Sequence, residues 1–308
     1  MLSRRSFLNN ALGAGAALAA SRAPQAVAQG AGRMIVDAQV HLWKAESPDW
    51  KWVPGARPQL PEPFTIEKLV PMMNEAGVNR VVIVPPSWIG DRNDYGLEAV
   101  QRYPGRFAVM GRIPLQDPKS AALLPKWKDE PGMLGVRVTF NSPAQANWLT
   151  DGTADWFWAA AEKSSIPVMM LGGKKSAYAT IAERHPQLTM IMDHMGLTTE
   201  IAKSGGTADA IAELVGLARH PNISVKLSAA PAYSTEPYPF RDMTPHIRRL
   251  FDTYGPQRCY WGTDMTNSFT RASYRQRITH FTEELPFLSE TDKDWVMGRA
   301  ITARLNWA

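Results

Sequence analysis

The sequence predicts a single closed (β/α)8 barrel, the TIM-barrel fold, built by the chain that follows its first 28 residues. Three observations lead to this fold. Eight short β-branched or apolar runs alternate with longer stretches of helical spacing. Several runs are apolar throughout, as expected of parallel strands that are covered on both sides. The remaining length of about 280 residues is typical of one α/β barrel.

The eight runs are predicted to be the barrel strands in chain order. The stretches between them place apolar residues on one helical face, as at Ile66, Leu69, Val70 and Met73. An open doubly wound sheet is the alternative, but it usually carries a glycine-rich phosphate loop after its first strand, and none follows here. The runs are MIVDA (34–38), RVVIV (80–84), FAVMG (107–111), GVRVTF (135–140), PVMML (167–171), TMIMD (189–193), ISVKL (223–227) and CYWGT (259–263).

Residues 1–28 are predicted to be a twin-arginine export signal that is removed. The segment SRRSFL (3–8) is followed by a mild Ala/Gly/Leu run (11–20) and by an A-x-A cleavage pattern (26–28). The apolar run is too short to anchor the mature protein in a membrane. These features predict a periplasmic protein that uses the twin-arginine export machinery as a partner. The alternative is a disordered basic tail.

Residues 29–308 are predicted to form one domain with no nucleic-acid partner. The formal net charge is +5, and three of the positive charges are Arg4, Arg5 and Arg22 of the signal. No basic cluster of the kind that binds nucleic acid remains. Cys259 is the only cysteine, so no internal disulfide is expected, and its apolar run indicates buried packing. No apolar stripe indicates an oligomeric state.

A long loop follows the first strand. The segment HLWKAESPDWKWVPGARPQLPEPF (41–64) holds Trp43, Trp50 and Trp52 together with five prolines. Long ordered loops of this kind are either lids that contribute to binding or rigid covers over apolar surface. In a barrel this loop lies on the catalytic face, which favours the first interpretation.

Three candidate acid–base groups stand at strand ends. His41, His194 and Asp264 follow strands one, six and eight, and barrel chemistry occurs at the carboxyl ends of the strands. Gln39 lies two residues before His41 and should share its face of the strand. Hydrolysis of an ester requires a base for water and fixed donors where oxygen charge grows. A carboxylate near two imidazoles supplies both.

Six motifs at these strand ends carry a family resemblance. They are DAQVHLW (37–43), VVIVPPSWIGDRNDYGLEAV (81–100), GVRVTFN (135–141), MDHMG (192–196), NISVKLSA (222–229) and WGTDM (261–265). In their order and spacing they resemble the amidohydrolase superfamily and, more narrowly, its 2-pyrone-4,6-dicarboxylate lactonase-like branch. The resemblance covers most of the chain after the signal.

The resemblance implies a catalytic mechanism. Asp264 would act as general base on a water that attacks a lactone carbonyl. His41 and His194 would polarise that carbonyl or hold the developing oxyanion.

The substrate-binding set is predicted to be Gln39, Ser87, Arg137, Arg112 and Tyr233. The resemblance assigns Ser87 to a substrate loop and Arg137 to the grip on a substrate anion. Arginine binds carboxylate and sulfonate groups through two parallel hydrogen bonds. Members of the branch usually carry a second arginine after the strand-seven Lys-Leu-Ser. This chain continues there to Tyr233, so Arg112 or Arg92 is expected to compensate. The alternatives are an internal salt bridge in the barrel wall for Arg112 and a solvated loop position for Arg92.

No metal is expected to be required. Metal-dependent relatives usually carry His-x-His on strand one, whereas this chain has Gln39 and His41, and strand five ends without a ligand. Catalytic zinc prefers three strong ligands. The alternative is zinc held weakly by His41, His194 and Asp264.

The predicted function is hydrolysis of a small anionic lactone, such as a carboxylated or sulfonated muconolactone, a pyrone dicarboxylate or a sugar-acid lactone. One alternative is a metal-dependent decarboxylase of an aromatic or muconate-type acid. A second alternative, from a different class, is a non-catalytic binding protein on the same barrel.

Overall fold

The structure is a computed structural model that describes residues 32–308, so the predicted export signal lies outside the described residues. Eight strands neighbour one another in chain order, and each pairs in parallel with the next. The predicted barrel is confirmed. The strands are β1 Val36–Val40, β2 Arg80–Ile83, β3 Phe107–Gly111, β4 Met133–Phe140, β5 Val168–Gly172, β6 Met190–Met192, β7 Ile223–Ser228 and β8 Cys259–Gly262.

Helices pack around the barrel with their apolar faces toward the strands. Ile66, Leu69, Val70 and Met73 are buried, as their spacing predicts. After β3 the segment Pro118–Asp129 forms successive 3-10 turns instead of an α-helix. The α-helices are α1 Ile66–Ala76, α2 Asp94–Arg102, α3 Asp155–Lys163, α4 Lys175–Arg184, α5 Thr199–Lys203, α6 Thr207–Gly216, α7 Ala230–Tyr233, α8 Thr244–Tyr254, α9 Tyr274–Thr282, α10 Glu290–Asp294 and α11 Ala300–Leu305.

Asp37 ties β1 to β8 where the barrel closes. Its carboxylate accepts hydrogen bonds from the Thr263 backbone at 2.8 Å, the Thr263 hydroxyl at 2.6 Å and the Tyr274 hydroxyl at 2.8 Å. The Asp264 amide also donates to the Gln39 carbonyl at 2.9 Å. Burial raises the pKa of Asp37. These bonds bring the end of β1 beside the residue that follows β8.

The interior is divided into two apolar layers. Val36, Val82, Met110 and Tyr260 belong to the layer that also reaches Ala300 and Ile301 of α11, while a larger layer lies between strands and helices. Cys259 is fully buried, and burial raises the pKa of its thiol, which confirms the packing role. Within residues 32–308, no helix has the length and apolar character needed to cross a membrane.

The long loop after β1 is anchored by an aromatic cluster. The ring of Trp88, which follows β2, packs edge-on against Trp43 at 5.3 Å and against Trp52 at 4.9 Å. Trp43 is fully buried. The indole nitrogen of Trp88 donates to Oε1 of Gln59 at 3.0 Å. The cluster therefore fixes the loop position from which Gln59 reaches the mouth of the barrel.

Candidate active site

A polar cleft of about 180 Å³ opens at the carboxyl ends of the strands. Residues at or after the ends of every strand except β3 contribute to it, as barrel geometry predicts. The cleft is lined by His41, Gln59, Pro86, Ser87, Arg137, Thr139, Asn141, Leu171, His194, Thr198, Thr199, Glu200, Ala232, Tyr233, Asp264 and Asn267.

The backbone turns sharply at the two strand ends that carry His194 and Asp264. His194 has φ 50° and Asp264 has φ 45°, and neither is glycine. A left-handed conformation is costly for such residues, and it is found where surrounding structure holds a side chain for function. On β1 the pairing with β2 is irregular between Asp37 and Val40, and Gln39, which lies within this stretch, faces the barrel interior.

Two histidines approach one carboxylate. Nε2 of His41 lies 3.0 Å from Oδ1 of Asp264, and Nε2 of His194 lies 3.6 Å from Oδ2. The Asn267 amide donates to Oδ2 at 2.7 Å. Nδ1 of His41 lies 2.6 Å from the Val84 carbonyl and must donate to it, because a carbonyl only accepts. The structure therefore brings the three predicted acid–base residues together as one trio.

The trio combines an ionised carboxylate with a neutral imidazole. Burial by itself raises the pKa of Asp264, but the neighbouring His194, His41 and Asn267 outweigh burial and hold that pKa well below its usual range. Burial lowers the pKa of His194 to about 4, against the opposing effect of the nearby carboxylates. At neutral pH, His194 is therefore uncharged and Asp264 carries its charge.

A buried chain of charges lies beneath the trio. Nζ of Lys226 donates to Oε1 of Gln39 and pairs with Oδ1 of Asp193 at 2.7 Å. Oδ2 of Asp193 accepts from Nε of Arg137 at 3.1 Å. Lys226 and Asp193 are both 0% exposed, so each needs the opposite charge of the other. Burial raises the pKa of Asp193, but Lys226 and Arg137 outweigh it and hold that pKa below its usual range.

The arrangement of His41, His194 and Asp264 around Gln39 does not fit a bound metal ion. The three potential ligands surround the amide nitrogen of Gln39, which lies 3.4 Å from Nε2 of His41, 3.2 Å from Nε2 of His194 and 3.4 Å from Oδ1 of Asp264. An amide nitrogen is a donor and offers no lone pair to a cation. Across residues 32–308, no group of three or more His, Cys, Asp or Glu side chains is placed to hold a metal ion.

The predicted substrate-binding residues separate into three positions. Ser87, Arg137 and Tyr233 line the cleft, and Gln39 lies below it. Arg112 is buried outside the cleft, with Nε 3.7 Å from Oδ1 of Asp91.

The environment of Arg112 explains that placement. Its Nε and Nη1 atoms have no hydrogen-bond partner within the described part of the chain. Burial and the neighbouring charge of Arg137 lower the pKa of Arg112 to about 10. The guanidinium is thus enclosed in the barrel wall, and its predicted contact with substrate stays a prediction.

Four residues of the site were not among those predicted from the sequence: Lys226, Asp193, Asn267 and Gln59. Lys226 stands inside the apolar run of β7, and a charge in such a run needs a buried partner of opposite sign. That signal could have paired it with Asp193, which directly precedes His194. Asn267 lies in the short 3-10 segment after β8 and Gln59 in the loop after β1, and no spacing rule predicts their side-chain positions.

Comparison with known proteins identifies relatives over most of the chain. A family model described as Amidohydrolase matches residues 36–303. The chain is 27% identical over 234 residues to an L-fucono-1,5-lactonase of Burkholderia ambifaria, which covers 74% of this chain and 79% of that protein. It is 30% identical over 218 residues to a 4-sulfomuconolactone hydrolase of Hydrogenophaga intermedia, covering 69% of this chain and 68% of that protein.

A solved structure has the same fold. An amidohydrolase from Burkholderia multivorans, crystallised with bound zinc, superimposes with a TM-score of 0.74 and 18% sequence identity. The match covers 89% of this chain and 100% of that one. At this identity the likeness concerns the barrel architecture alone.

Proposed function

The chain belongs to the amidohydrolase family, and from that premise we propose that it hydrolyses a small anionic lactone. The proposal rests on the arrangement of the acid–base residues. The carboxylate of Asp264 stands between His41 and His194 in a polar cleft whose wall includes Arg137. This arrangement combines a base for water, polar groups for a carbonyl and a cation for an acidic substituent. The names of the two curated relatives, both of which describe enzymes acting on lactones, support a cyclic ester as the substrate.

Asp264 acts as the general base on the attacking water. Its Oδ2 atom, positioned by Asn267 at 2.7 Å, takes a proton while the water oxygen adds to the lactone carbonyl carbon. The ring C–O bond then breaks, and the departing oxygen receives the proton that Asp264 took from the water, which gives the open hydroxy acid and restores the carboxylate. The low pKa of Asp264 keeps the carboxylate ionised for this role.

The opposite wall holds the acidic part of the substrate. β4, which carries Arg137, is four places from β8 in the eight-stranded order. The Nε atom of Arg137 is fixed by Asp193, which leaves the two terminal nitrogens of the guanidinium to bind a carboxylate or sulfonate. Ser87 and Tyr233 lie in the same cleft and contribute further polar contacts.

The reaction proceeds without a metal ion in this proposal. The Gln39 amide nitrogen lies between the three groups that would otherwise ligate one, and Lys226 holds it there. The same feature disfavours the alternative of a metal-dependent decarboxylase. The complete trio disfavours a non-catalytic binding protein.

Replacement of Asp264 tests the proposed function. Asp264→Asn keeps the size of the side chain and removes the base, so kcat should fall by roughly 10²- to 10⁴-fold while lactone affinity is retained. Asp252→Asn, on the exposed face of α8, is the matched control. The measurement is hydrolysis of lactones with and without carboxylate or sulfonate groups. Equal turnover by Asp264→Asn and the control would exclude Asp264 as the base.

The location of the enzyme is a separate proposal. The twin-arginine pattern in residues 3–8 and the A-x-A pattern in residues 26–28 support export of the folded chain to the periplasm and removal of the signal. Fractionation of cells that produce the full chain tests this location.

A further inference from the structure

We infer that Lys226, acting through the Gln39 side chain, sets which ring nitrogen of His194 carries the proton. Lys226, Gln39, His194 and Ser228 form a continuous hydrogen-bonded series, which we call the amide relay. Its role in catalysis rests on the proposed function, whereas the hydrogen-bond pattern within it does not. Lys226 is a positioning residue in this scheme, because it contacts Gln39 and not the reacting atoms.

The relay begins with a group that only donates. The Lys226 ammonium has three N–H bonds and no acceptor. Around Nζ lie three oxygen acceptors, which are Oδ1 of Asp193 at 2.7 Å, the Ala38 carbonyl at 3.5 Å and Oε1 of Gln39. Lys226 is fully buried, so water cannot replace any of them. Gln39 must therefore turn its oxygen toward Lys226, since the reversed amide would place two donors against each other.

The orientation of Gln39 determines the hydrogen bond at His194. With its oxygen on Lys226, Gln39 presents its NH2 group to Nε2 of His194 at 3.2 Å. An amide nitrogen only donates, so Nε2 must accept. A neutral imidazole has one N–H, which then lies on Nδ1 and donates to the Ser228 hydroxyl at 2.8 Å.

The two histidines of the trio consequently differ in role. Nδ1 of His41 donates to the Val84 carbonyl, and its Nε2 atom lies 3.0 Å from a carboxylate oxygen that can only accept. His41 therefore carries an N–H on both ring nitrogens, and it offers the one on Nε2 at the centre of the site. His194 offers a lone pair there. This division replaces the symmetrical role that family resemblance implies for both rings.

Nitrogen NMR of the histidine rings tests the relay directly. With 15N-labelled histidine at pH 7.5, the ring of His194, assigned by its loss in His194→Gln, should show a protonated Nδ1 and an unprotonated Nε2. Both Lys226→Met and Gln39→Leu should abolish this preference and shift His194 toward a mixture of tautomers. In the double variant the tautomer ratio of His194 should change no further, because Lys226 selects the tautomer through Gln39.

The combined variants separate positioning from a general structural role. If Lys226→Met still changes which ring nitrogen of His194 is protonated when Gln39 is already Leu, the relay is wrong. It is equally wrong if Gln39→Leu leaves the wild-type pattern unchanged. That second outcome decides the question even if Lys226→Met fails to fold, because Gln39→Leu removes no charge.

Turnover gives a second and distinguishable readout. For a hydrolysed lactone, each single variant should lower kcat on the order of tenfold with little change in KM, and the double variant should be no slower. If no lactone is hydrolysed but the nitrogen shifts follow the prediction, the proposed function fails and the relay stands. If lactones are hydrolysed but the shifts are unaffected, the relay fails and the proposed function stands.

Discussion

At the scale of single residues, Gln39 decides what kind of site the trio forms. Its amide nitrogen is within 3.4 Å of all three acid–base residues, and its oxygen is held by a buried ammonium. A histidine at this position would instead direct a lone pair toward His41, His194 and Asp264. One side chain therefore separates a hydrogen-bonded site from a set of ligands.

The substitution Gln39→His should convert the trio into a zinc site. It supplies a third imidazole beside His41, His194 and Asp264, which satisfies the preference of zinc for nitrogen and oxygen ligands. After purification without chelators, elemental analysis should find close to one zinc per chain in this variant and far less in wild type. Gln39→Leu is the control, because it removes the amide without adding a ligand. Equal zinc content in all three proteins would contradict this reading of Gln39.

At the scale of elements, the loop from β1 to α1 forms part of the cleft wall. Trp88 holds Oε1 of Gln59, and Gln59 lines the cleft. Trp88 donates to the oxygen of Gln59, so the amide NH2 group of Gln59 remains to donate a second hydrogen bond. An oxygen atom of a substrate bound in the cleft is the expected acceptor. The loop thus covers apolar surface and places a polar group in the cleft wall, while its role in substrate binding stays a prediction.

Removal of the Gln59 side chain should weaken substrate binding. Gln59→Ala is expected to raise KM by roughly five- to tenfold, with kcat nearly unchanged, because one hydrogen bond of about 1 kcal/mol is lost far from the reacting bond. Trp88→Phe should act in the same direction with a smaller effect, since it frees the Gln59 oxygen but keeps an aromatic ring in the cluster. Gln101→Ala, on the exposed end of α2, is the control. Unchanged KM in both loop variants would show that this wall does not contact substrate.

At the scale of the whole molecule, two buried histidines make folding stability depend on pH. Burial lowers the pKa of His194 and of His280 from the ordinary value of 6.5 to about 4. Between these values the unfolded chain binds a proton at each histidine and the folded chain does not. The free energy of unfolding therefore falls as the pH drops from about 6.5 to about 4. Above about pH 6.5 both histidines are neutral in either state and do not reduce it.

The free energy of unfolding should decrease between pH 6.5 and pH 4, on the order of 3 kcal/mol for each fully buried histidine. His280 packs against Phe240 and Phe281, and its Nε2 atom has no partner within the described residues. His280→Leu should therefore remove about half of the decrease that the two histidines cause. Urea denaturation at a series of pH values measures the slope. A variant with the wild-type slope would contradict the assignment for His280.

Much of the site could be predicted because it depends on local order in the chain. The i, i+2 spacing of Gln39 and His41 predicts a shared face of the strand. The amide nitrogen of Gln39 does lie 3.4 Å from Nε2 of His41. Arg112 follows a strand in the same way, yet it lies in the barrel wall beside Asp91. Position after a strand predicts the end of the barrel on which a residue lies, but it does not predict whether the side chain points into the cleft.

The order of residues along the chain is enough to predict the barrel and the three groups that meet at its mouth. Alternating apolar runs require parallel strands with helical cover, and parallel strands bring their carboxyl ends to one edge. How those groups share protons depends on contacts that form in the folded barrel. Lys226 and Gln39 come from β7 and β1, and their donors and acceptors meet only when the barrel closes. Hydrogen bonds depend on distance and direction between strands, and the order of residues along the chain contains neither.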